Sequence, residues 1–482
     1  MLNKFLKSLS LLLLLNLLIK PFWVLYVDRW IQQEVGDEAF GLFATLYSFT
    51  IIFSIVLDPG LKNYFNTRLS RDHALLGKEA GRFLVLKLLL SLLFFGSIWV
   101  AAWLSGEYTK YPSLLMLLGL NQILLTFLLF FRALITGLGK YQADSFMSVA
   151  DRVLMILMAL PIFFTDYFPQ FKNIEGFVAI HTIGYGITTF ICILILGKKL
   201  FEIELNFQLK GLGTILKKTF PFALFTGLMN LYIRADFIMI EQLLPDGFEQ
   251  AGVYRKAYRF LEAASMFALL FGNLLLPIFS TIINKVAEMR KMLSVVFKLF
   301  VIPSVSLSLV CFTFRTEIMA AAYTDSNQVV ADSFGYLMLD MVAISLFYLF
   351  GTALTAKHAL KSLNLFAGLG VIVNIGLNAV LIPVIGIKGA VIATLVTHSM
   401  VGILQMLTTL KVYNIQIHLS VLLRVIGFTG FSILAFFLSN QLEVNWFYKL
   451  VMLSALSFTF AHLFRVFSLK EVFVLFKSEV NE

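Results

Sequence analysis

Blocks of about twenty apolar residues, separated by short polar connections, recur along the whole of this chain. A helix of about 20 residues at 1.5 Å rise crosses the ~30 Å hydrocarbon core of a bilayer. Hydrocarbon offers the backbone no other hydrogen-bond partner, so each block must be helical. The pattern predicts spans at 9–31, 39–61, 83–104, 113–136, 146–165, 176–196, 218–242, 253–282, 292–314, 332–356, 364–382, 388–410, 420–439 and 447–467. That is an all-α polytopic membrane protein of about 14 transmembrane helices. Of its 482 residues 59% are hydrophobic and only 14% charged, against about 25% charged in a soluble domain, which leaves no room for a sizeable soluble domain.

The basic residues alternate between connections. Lys4 and Lys7, Lys62 through Arg82, Lys198 through Lys218, Lys285 through Lys291, Lys357 and Lys361, and Arg465 through Lys477 fall on one side. The excess of Lys and Arg marks that side as cytoplasmic, and an even number of spans then puts both termini inside a bacterial inner membrane. This bias accounts for the net charge of +10 without a nucleic-acid partner. No small-x-small cleavage pattern precedes Lys20-Pro21-Phe22, so the start reads as a retained first span rather than a removed signal. Cys192 and Cys311 both lie within apolar blocks, which argues against a disulfide framework or a cysteine metal site. No metal and no cofactor is expected.

An internal repeat organises the spans. Gly41-Leu42-Phe43-Ala44-Thr45-Leu46-Tyr47 matches Gly252-Val253-Tyr254-Arg255-Lys256-Ala257-Tyr258 as G-x-aromatic-x-x-x-Tyr. Asp151, Pro161 and Gly176-Phe177-Val178-Ala179 then correspond in order to Asn374, Pro383 and Gly389-Ala390-Val391-Ile392. Two six-helix lobes in parallel pseudo-repeat are predicted, a duplication typical of alternating access. They are residues 1–196 and 218–411, joined by a cytoplasmic linker at 197–217 and followed by two further helices and a tail over 412–482. Phe201, Ile203, Leu205 and Phe207 in the linker, and Leu469, Val472, Phe473 and Phe476 in the tail, suit segments lying on membrane lipid or capping the bundle.

The run Asn374-Ile375-Gly376-Leu377-Asn378-Ala379-Val380-Leu381-Ile382-Pro383-Val384-Ile385-Gly386-Ile387-Lys388-Gly389-Ala390-Val391-Ile392-Ala393-Thr394 resembles the N-x-x-L-N-x-x-L-I-P-x-x-G-x-x-G-A-A-x-A-T signature of polysaccharide flippases of the multidrug/oligosaccharidyl-lipid/polysaccharide (MOP) superfamily. Val391 replaces the second alanine. Phe40-Gly41, Asp58-Pro59-Gly60-Leu61, Gly137 to Tyr141, Lys217 to Pro221 and Asp236 to Ile240 also fit that pattern, so the resemblance covers residues 10–410. It implies a V-shaped two-lobed fold like that of the multidrug exporters, and transport of an undecaprenyl-pyrophosphate-linked oligosaccharide. A drug or metabolite antiporter of the same superfamily is the alternative, and glycan polymerases or ligases are conceivable partners. Independently of resemblance, Asn374 and Asn378 can satisfy backbone groups near a break at Pro383, and Gly389, Ala390 and Ala393 allow close helix approach.

Charges within spans carry the functional reading, because a lipid-facing charge near mid-bilayer costs about 2.5–3.5 kcal/mol even on insertion scales. Arg255, Arg259, Glu262 and Asn273 share one face of the eighth span, with Lys256 turned away. Asn230 and Arg234 share a face of the seventh, whereas Asp236 points elsewhere. Lys20 stands mid-span beside Pro21, with cavity lining or a buried carboxylate such as Asp340 as alternative fates. Lys20, Arg234, Arg255 and Arg259 are therefore the candidate substrate-binding cations, and Asp236, Glu262 and Asp340 the candidates for coupling to H⁺ or Na⁺. Arg82, Lys87, Lys298 and Arg424 lie near span ends and can snorkel to water. His358 and His398 read as packed or solvated side chains, and Asp151-Arg152 is ambiguous.

Gly77-Lys78, Gly139-Lys140 and Gly197-Lys198 lack the rest of a phosphate loop, which argues against direct ATP hydrolysis. The short outer connections argue against a membrane glycosyl polymerase or ligase, so the chain is not expected to be an enzyme. Reporters fused to each terminus should be active only as cytoplasmic fusions. A terminal fusion active outside the membrane would contradict the orientation read from the Lys and Arg bias.

Overall fold

A computed structural model describes residues 2–60, 75–200, 212–415, 419–439 and 443–463. The basic loop at 61–74, the linker aromatics at 201–211 and the tail from 464 lie outside the described residues. Among the described residues sixteen α-helices follow in order: α1 Leu2–Phe22, α2 Asp28–Val35, α3 Asp37–Phe53, α4 Leu75–Ser105, α5 Pro112–Gly137, α6 Tyr141–Phe163, α7 Ile174–Leu196, α8 Leu212–Leu243, α9 Gly247–Thr281, α10 Val286–Thr313, α11 Arg315–Ala322, α12 Gln328–Ala356, α13 Leu360–Ile385, α14 Ile387–Val412, α15 Leu419–Ser439 and α16 Trp446–Leu463. Among the described residues, 13 helical stretches are long and apolar enough to cross a membrane, and the remaining predicted span is α15, with its apolar part at Ile426–Ser439.

The surface confirms the solvent. Leu88, Leu92, Leu93, Val100, Trp103 and Leu104 of α4 all stand exposed, as do Ile372, Val380 and Val384 of α13. Contiguous apolar faces of this kind are suited to lipid and not to water. The protein is a multi-pass membrane protein.

The first span is irregular where its sequence is irregular. Pro21 supplies no N–H to the helical ladder, and the chain relaxes into one π-helical turn, Trp23–Val27, before α2 resumes the α-helix. Trp23, Val24 and Val27 are buried there. Lys20 sits immediately before this widened turn.

The chain divides into two compact units, Met1–Arg255 and Lys256–Glu482. In the first, α5 packs on α7, α6 on α7 and α1, and α8 on α3. In the second, α12 packs on α14, α13 on α14, and α10 on α12, with α15 and α16 paired and laid on α10. The α5–α7–α6 arrangement of the first unit thus recurs as α12–α14–α13 in the second, on the helices that carry the weaker sequence repeat.

The stronger repeat has a direct packing role. A Cβ on Gly41 would strike the carbonyl oxygen of Phe248 and the amide of Gly252, and a Cβ on Gly252 would strike the carbonyl of Asp37. The two repeat glycines therefore let the start of α3 and the start of α9 touch backbone to backbone. Gln32 fastens the same crossing, donating to the Gly252 carbonyl at 2.8 Å and to Asp37 Oδ1 at 2.9 Å.

The signature run forms a helical hairpin. Pro383 lies inside α13, and the break falls three residues later, at Gly386, whose φ of 64° favours glycine. The break expected at Pro383 is thereby corrected: a proline in the last turn of a helix removes one hydrogen bond but need not end it. Gly389 brings α14 against the Leu381–Ile382 backbone, and Asn378 donates to Asn374 at 3.1 Å with both side chains enclosed. The run thus acts through packing.

Gly41→Ala and Gly252→Ala should each lower the melting temperature of the detergent-purified protein or abolish its accumulation, as overpacking typically costs about 1–3 kcal/mol. Gly96→Ala, which meets nothing within 4 Å, should be neutral or slightly stabilising. Equal behaviour of the three variants would contradict the crossing.

Candidate functional site

A charged and aromatic cluster occupies the first unit. Asn16 of α1 donates to Ser148 Oγ of α6 at 2.7 Å, which sets the register of the two helices. One turn further along, Lys20 comes under the charges of Arg152 and Asp151 on α6 and of Arg132 and Asp144. Its carboxylate neighbours are therefore Asp151 and Asp144. Asp340, suggested from the sequence as a partner for Lys20, is instead bonded to His398.

Arg132 near the end of α5 holds Asp144 at the start of α6 in a two-pronged contact, Nε–Oδ1 2.7 Å and Nη2–Oδ2 3.2 Å. That geometry uses the guanidinium fork fully. Arg152 is arranged more loosely. Its Nε lies 3.7 Å from Asp151, Nη2 donates to the Tyr185 hydroxyl at 3.2 Å, and the guanidinium lies over the rings of Trp23 and Tyr185 at 5.7 and 5.8 Å. Arg152 also feels Tyr47, whose ring carries the guanidinium of Arg234 from α8 at 5.6 Å. Tyr47 is the last residue of the first repeat block, so it links cations from α6 and α8. Lys20, Tyr47, Arg152 and Arg234 are all half-buried. His181 packs beneath them, edge-on to Trp23 and Phe177, its Nδ1 at 3.0 Å from the Phe177 carbonyl.

Lys20 and Arg152 both feel the charge of Asp151, and Arg152 that of Asp28 as well. Arg152 and Tyr47 were missed from the sequence because Asp151 and Arg152 are adjacent and self-compensating on paper. Only the packing of α1 on α6 reveals that Lys20 joins them.

The remaining predicted residues divide among several sites. Arg255 binds Asp28 at 3.1 Å, both buried in the first unit, which makes it a paired charge in this conformation. Asp236 accepts from Tyr254 at 2.9 Å. In the second unit Lys256 binds Asp325 at 2.5 Å and lies 5.4 Å from the centre of the Tyr323 ring. Arg259, 0% exposed, lies 6.0 Å from the same ring. The two side chains, three residues apart, meet at one aromatic face although helical projection separates Lys256 from the Arg259 stripe. Glu262 is half-buried, whereas Asn273 is exposed and takes no part in an enclosed surface.

Lys87 departs from expectation. It is buried and stands over Phe127 and Phe130 at 5.9 and 5.8 Å, so a place near a span end did not send it to water. Outside the spans, burial and then the Glu241 carboxylate hold the Tyr108 hydroxyl well above its ordinary pKa, keeping it a donor to Glu241 at 2.8 Å. No cluster of metal-ligating side chains occurs among the described residues.

Comparison with known proteins follows the same line. Residues 5–283 match the family described as polysaccharide biosynthesis protein. No curated protein matches. Among solved structures, the lipid II flippase MurJ in an inward closed conformation is similar at 14% identity with a TM-score of 0.68, covering 96% of this chain and 98% of that one. An inward-facing multidrug resistance MATE transporter of the MOP superfamily gives 14% identity and a TM-score of 0.62 over 81% and 94%. A MOP superfamily transporter from Pyrococcus furiosus, described as having a binding pocket of reversed polarity, gives 12% and 0.62 over 85% and 96%. These likenesses establish the fold.

A double-mutant cycle tests the status of Arg255. Arg255→Met and Asp28→Asn should each destabilise the protein, by up to about 3–5 kcal/mol for a fully buried pair, while the double variant recovers most of the loss. Additive effects would free Arg255 for another role.

Proposed function

The chain belongs to the polysaccharide biosynthesis protein family, and from that membership we propose that it translocates an undecaprenyl-pyrophosphate-linked oligosaccharide from the cytoplasmic to the outer leaflet by alternating access. The observation that carries this reading is the half-buried set of cations within membrane-spanning helices, Arg152 and Arg234 at Tyr47 and Lys20 within the field of Arg152. A polyprenyl tail can remain in lipid. The pyrophosphate and any acidic sugars cannot, and an anion drawn from water into a low-dielectric surround needs fixed positive partners. Arg152 and Arg234 offer forks that fit phosphate oxygens, and Lys20 a compact point charge.

Arg255 and Arg259 belong to the same reading at a later stage. In this conformation Asp28 engages the first and the Tyr323 face the second, so each would meet substrate only after a rearrangement. A drug or metabolite antiporter is the second reading, and this set of cations disfavours it for the cationic compounds such a carrier would expel. Both termini on the cytoplasmic side of a bacterial inner membrane fit the direction of transport proposed.

Alanine at Lys20, Arg152 or Arg234 should reduce surface-glycan complementation about tenfold or more with membrane protein levels unchanged, since a charge-assisted hydrogen bond contributes about 1.5–3 kcal/mol. Arg259→Ala should also reduce it, with Arg259→Lys recovering part. Full activity in the Lys20, Arg152 and Arg234 variants would remove the anionic-headgroup reading.

A further inference from the structure

We propose that Asp340 and His398 form a proton-binding site in the second unit, whose occupancy decides whether α12 and α14 stay packed together. The proton site stands on its own geometry; its use in driving translocation rests on the reading above. Asp340 Oδ2 and His398 Nδ1 are 2.5 Å apart, within helices that cross the membrane. Asp340 is 0% exposed and His398 is buried. No hydrogen bond from the described residues reaches the second carboxylate oxygen, Oδ1, which is itself enclosed.

An ionised carboxylate accepts at about four lone-pair positions, and this one has a single donor among the described residues. With a neutral imidazole the pair carries one net negative charge that its burial disfavours. One added proton cancels that charge, whether it rests on the imidazole or on the carboxylate. The enclosed arrangement therefore suits the proton-loaded pair, and proton loss favours an arrangement that admits water.

On α12 the other acid is Asp332, two turns away, where Arg315 at 2.9 Å and Lys388 of α14 at 2.8 Å neutralise it; Tyr336 and Tyr348 complete the titratable groups of that helix. Helix α10 donates Ser308 to the Met338 carbonyl, and its titratable group nearest that level is Cys311, with Lys298 towards the other end. Helix α11 carries Glu317 besides Arg315, α13 only Lys361, and α14 also Lys411 near its end. Helix α9 meets α12 at Phe260 and Phe334 and carries Lys256, Tyr258, Arg259 and Glu262 on either side of that contact in sequence. Helices α15 and α16 reach the cluster that includes Val342 and Leu346, with Arg424, Lys449 and His462 on them. His398 is the group whose charge acts on Asp340. Beyond the pair, Gly402 lies so close to α12 that a Cβ would press on the Ala343 carbonyl and Leu346, and Gly351 is similarly tight against Gln405. The helices are sealed by small residues on one side of the pair, so its charge state weighs directly on their contact.

The experiment uses the full chain in lipid nanodiscs, with ring-labelled histidine and infrared difference spectra between pH steps. Wild type should take up one proton over the pH steps, and both Asp340→Asn and His398→Gln should lose it. His398→Gln retains a hydrogen-bond donor beside Asp340 and serves where Asp340→Asn does not fold. In liposomes, with a fluorescent polyprenyl-pyrophosphate saccharide, the ratio of flipping with and without an imposed pH gradient should exceed one in wild type and fall to one in the variants. Absence of the wild-type titration, or its persistence in His398→Gln, overturns the site. Flipping without that titration leaves the saccharide reading intact, whereas proton uptake without flipping removes the saccharide reading and leaves the proton site.

Discussion

Hydrocarbon tolerates almost no unneutralised charge, and the placement of side chains in this protein follows from that constraint. Several charged groups carried into the described spans meet an opposite charge or an aromatic face. Arg132 takes the bidentate grip of Asp144, Arg255 takes Asp28, and Lys87 takes two phenyl faces. Where cations gather, as Lys20 and Arg152 do within the field of Asp151, an anion can join them. Incomplete matching at Asp340, whose Oδ1 has no donor among the described residues, calls for a cation, the smallest of which is a proton.

The two sites thus differ in sign and in access. The Lys20–Arg152–Arg234 cluster is half-buried and aromatic, suited to a large anionic headgroup that arrives and leaves. The Asp340–His398 pair is enclosed, and only something as small as a proton can be exchanged there without disturbing the helices. Arg152 owes its place to the irregular first span: the π turn after Pro21 puts Trp23 beneath the guanidinium while Lys20 approaches from the preceding turn.

Much of the fold was legible because its cause is one-dimensional. Apolar length fixes the number of spans, and Gly41 and Gly252 could be seen to repeat, although not to touch one another. The individual cations Lys20, Arg234 and Arg259 were legible for the same reason, since charge within an apolar block is visible in any window. Their partners were not, because partnership depends on which helices adjoin. Asp28 with Arg255 spans 227 positions and Asp340 with His398 spans 58, and nothing in local spacing announces either. Lys87 shows the complementary error: distance from a span end is a poor guide when the neighbouring helix presents Phe127 and Phe130.

The residues that make the chain recognisable and those that hold its charges are largely separate sets. Gly389 and Gly386 allow a backbone approach and a turn that no larger side chain permits, and Asn374 and Asn378 bond each other inside that hairpin. Such contacts fix the position of α13 against α14 to within a fraction of an ångström. Lys20, Arg152 and Arg234 act through long side chains on helices whose packing is set elsewhere, by Asn16 with Ser148 and by α3 against α8. Altering one of these cations can change which headgroup is accepted without disturbing the hairpin. Altering a hairpin glycine disturbs every group that α14 carries, His398 among them.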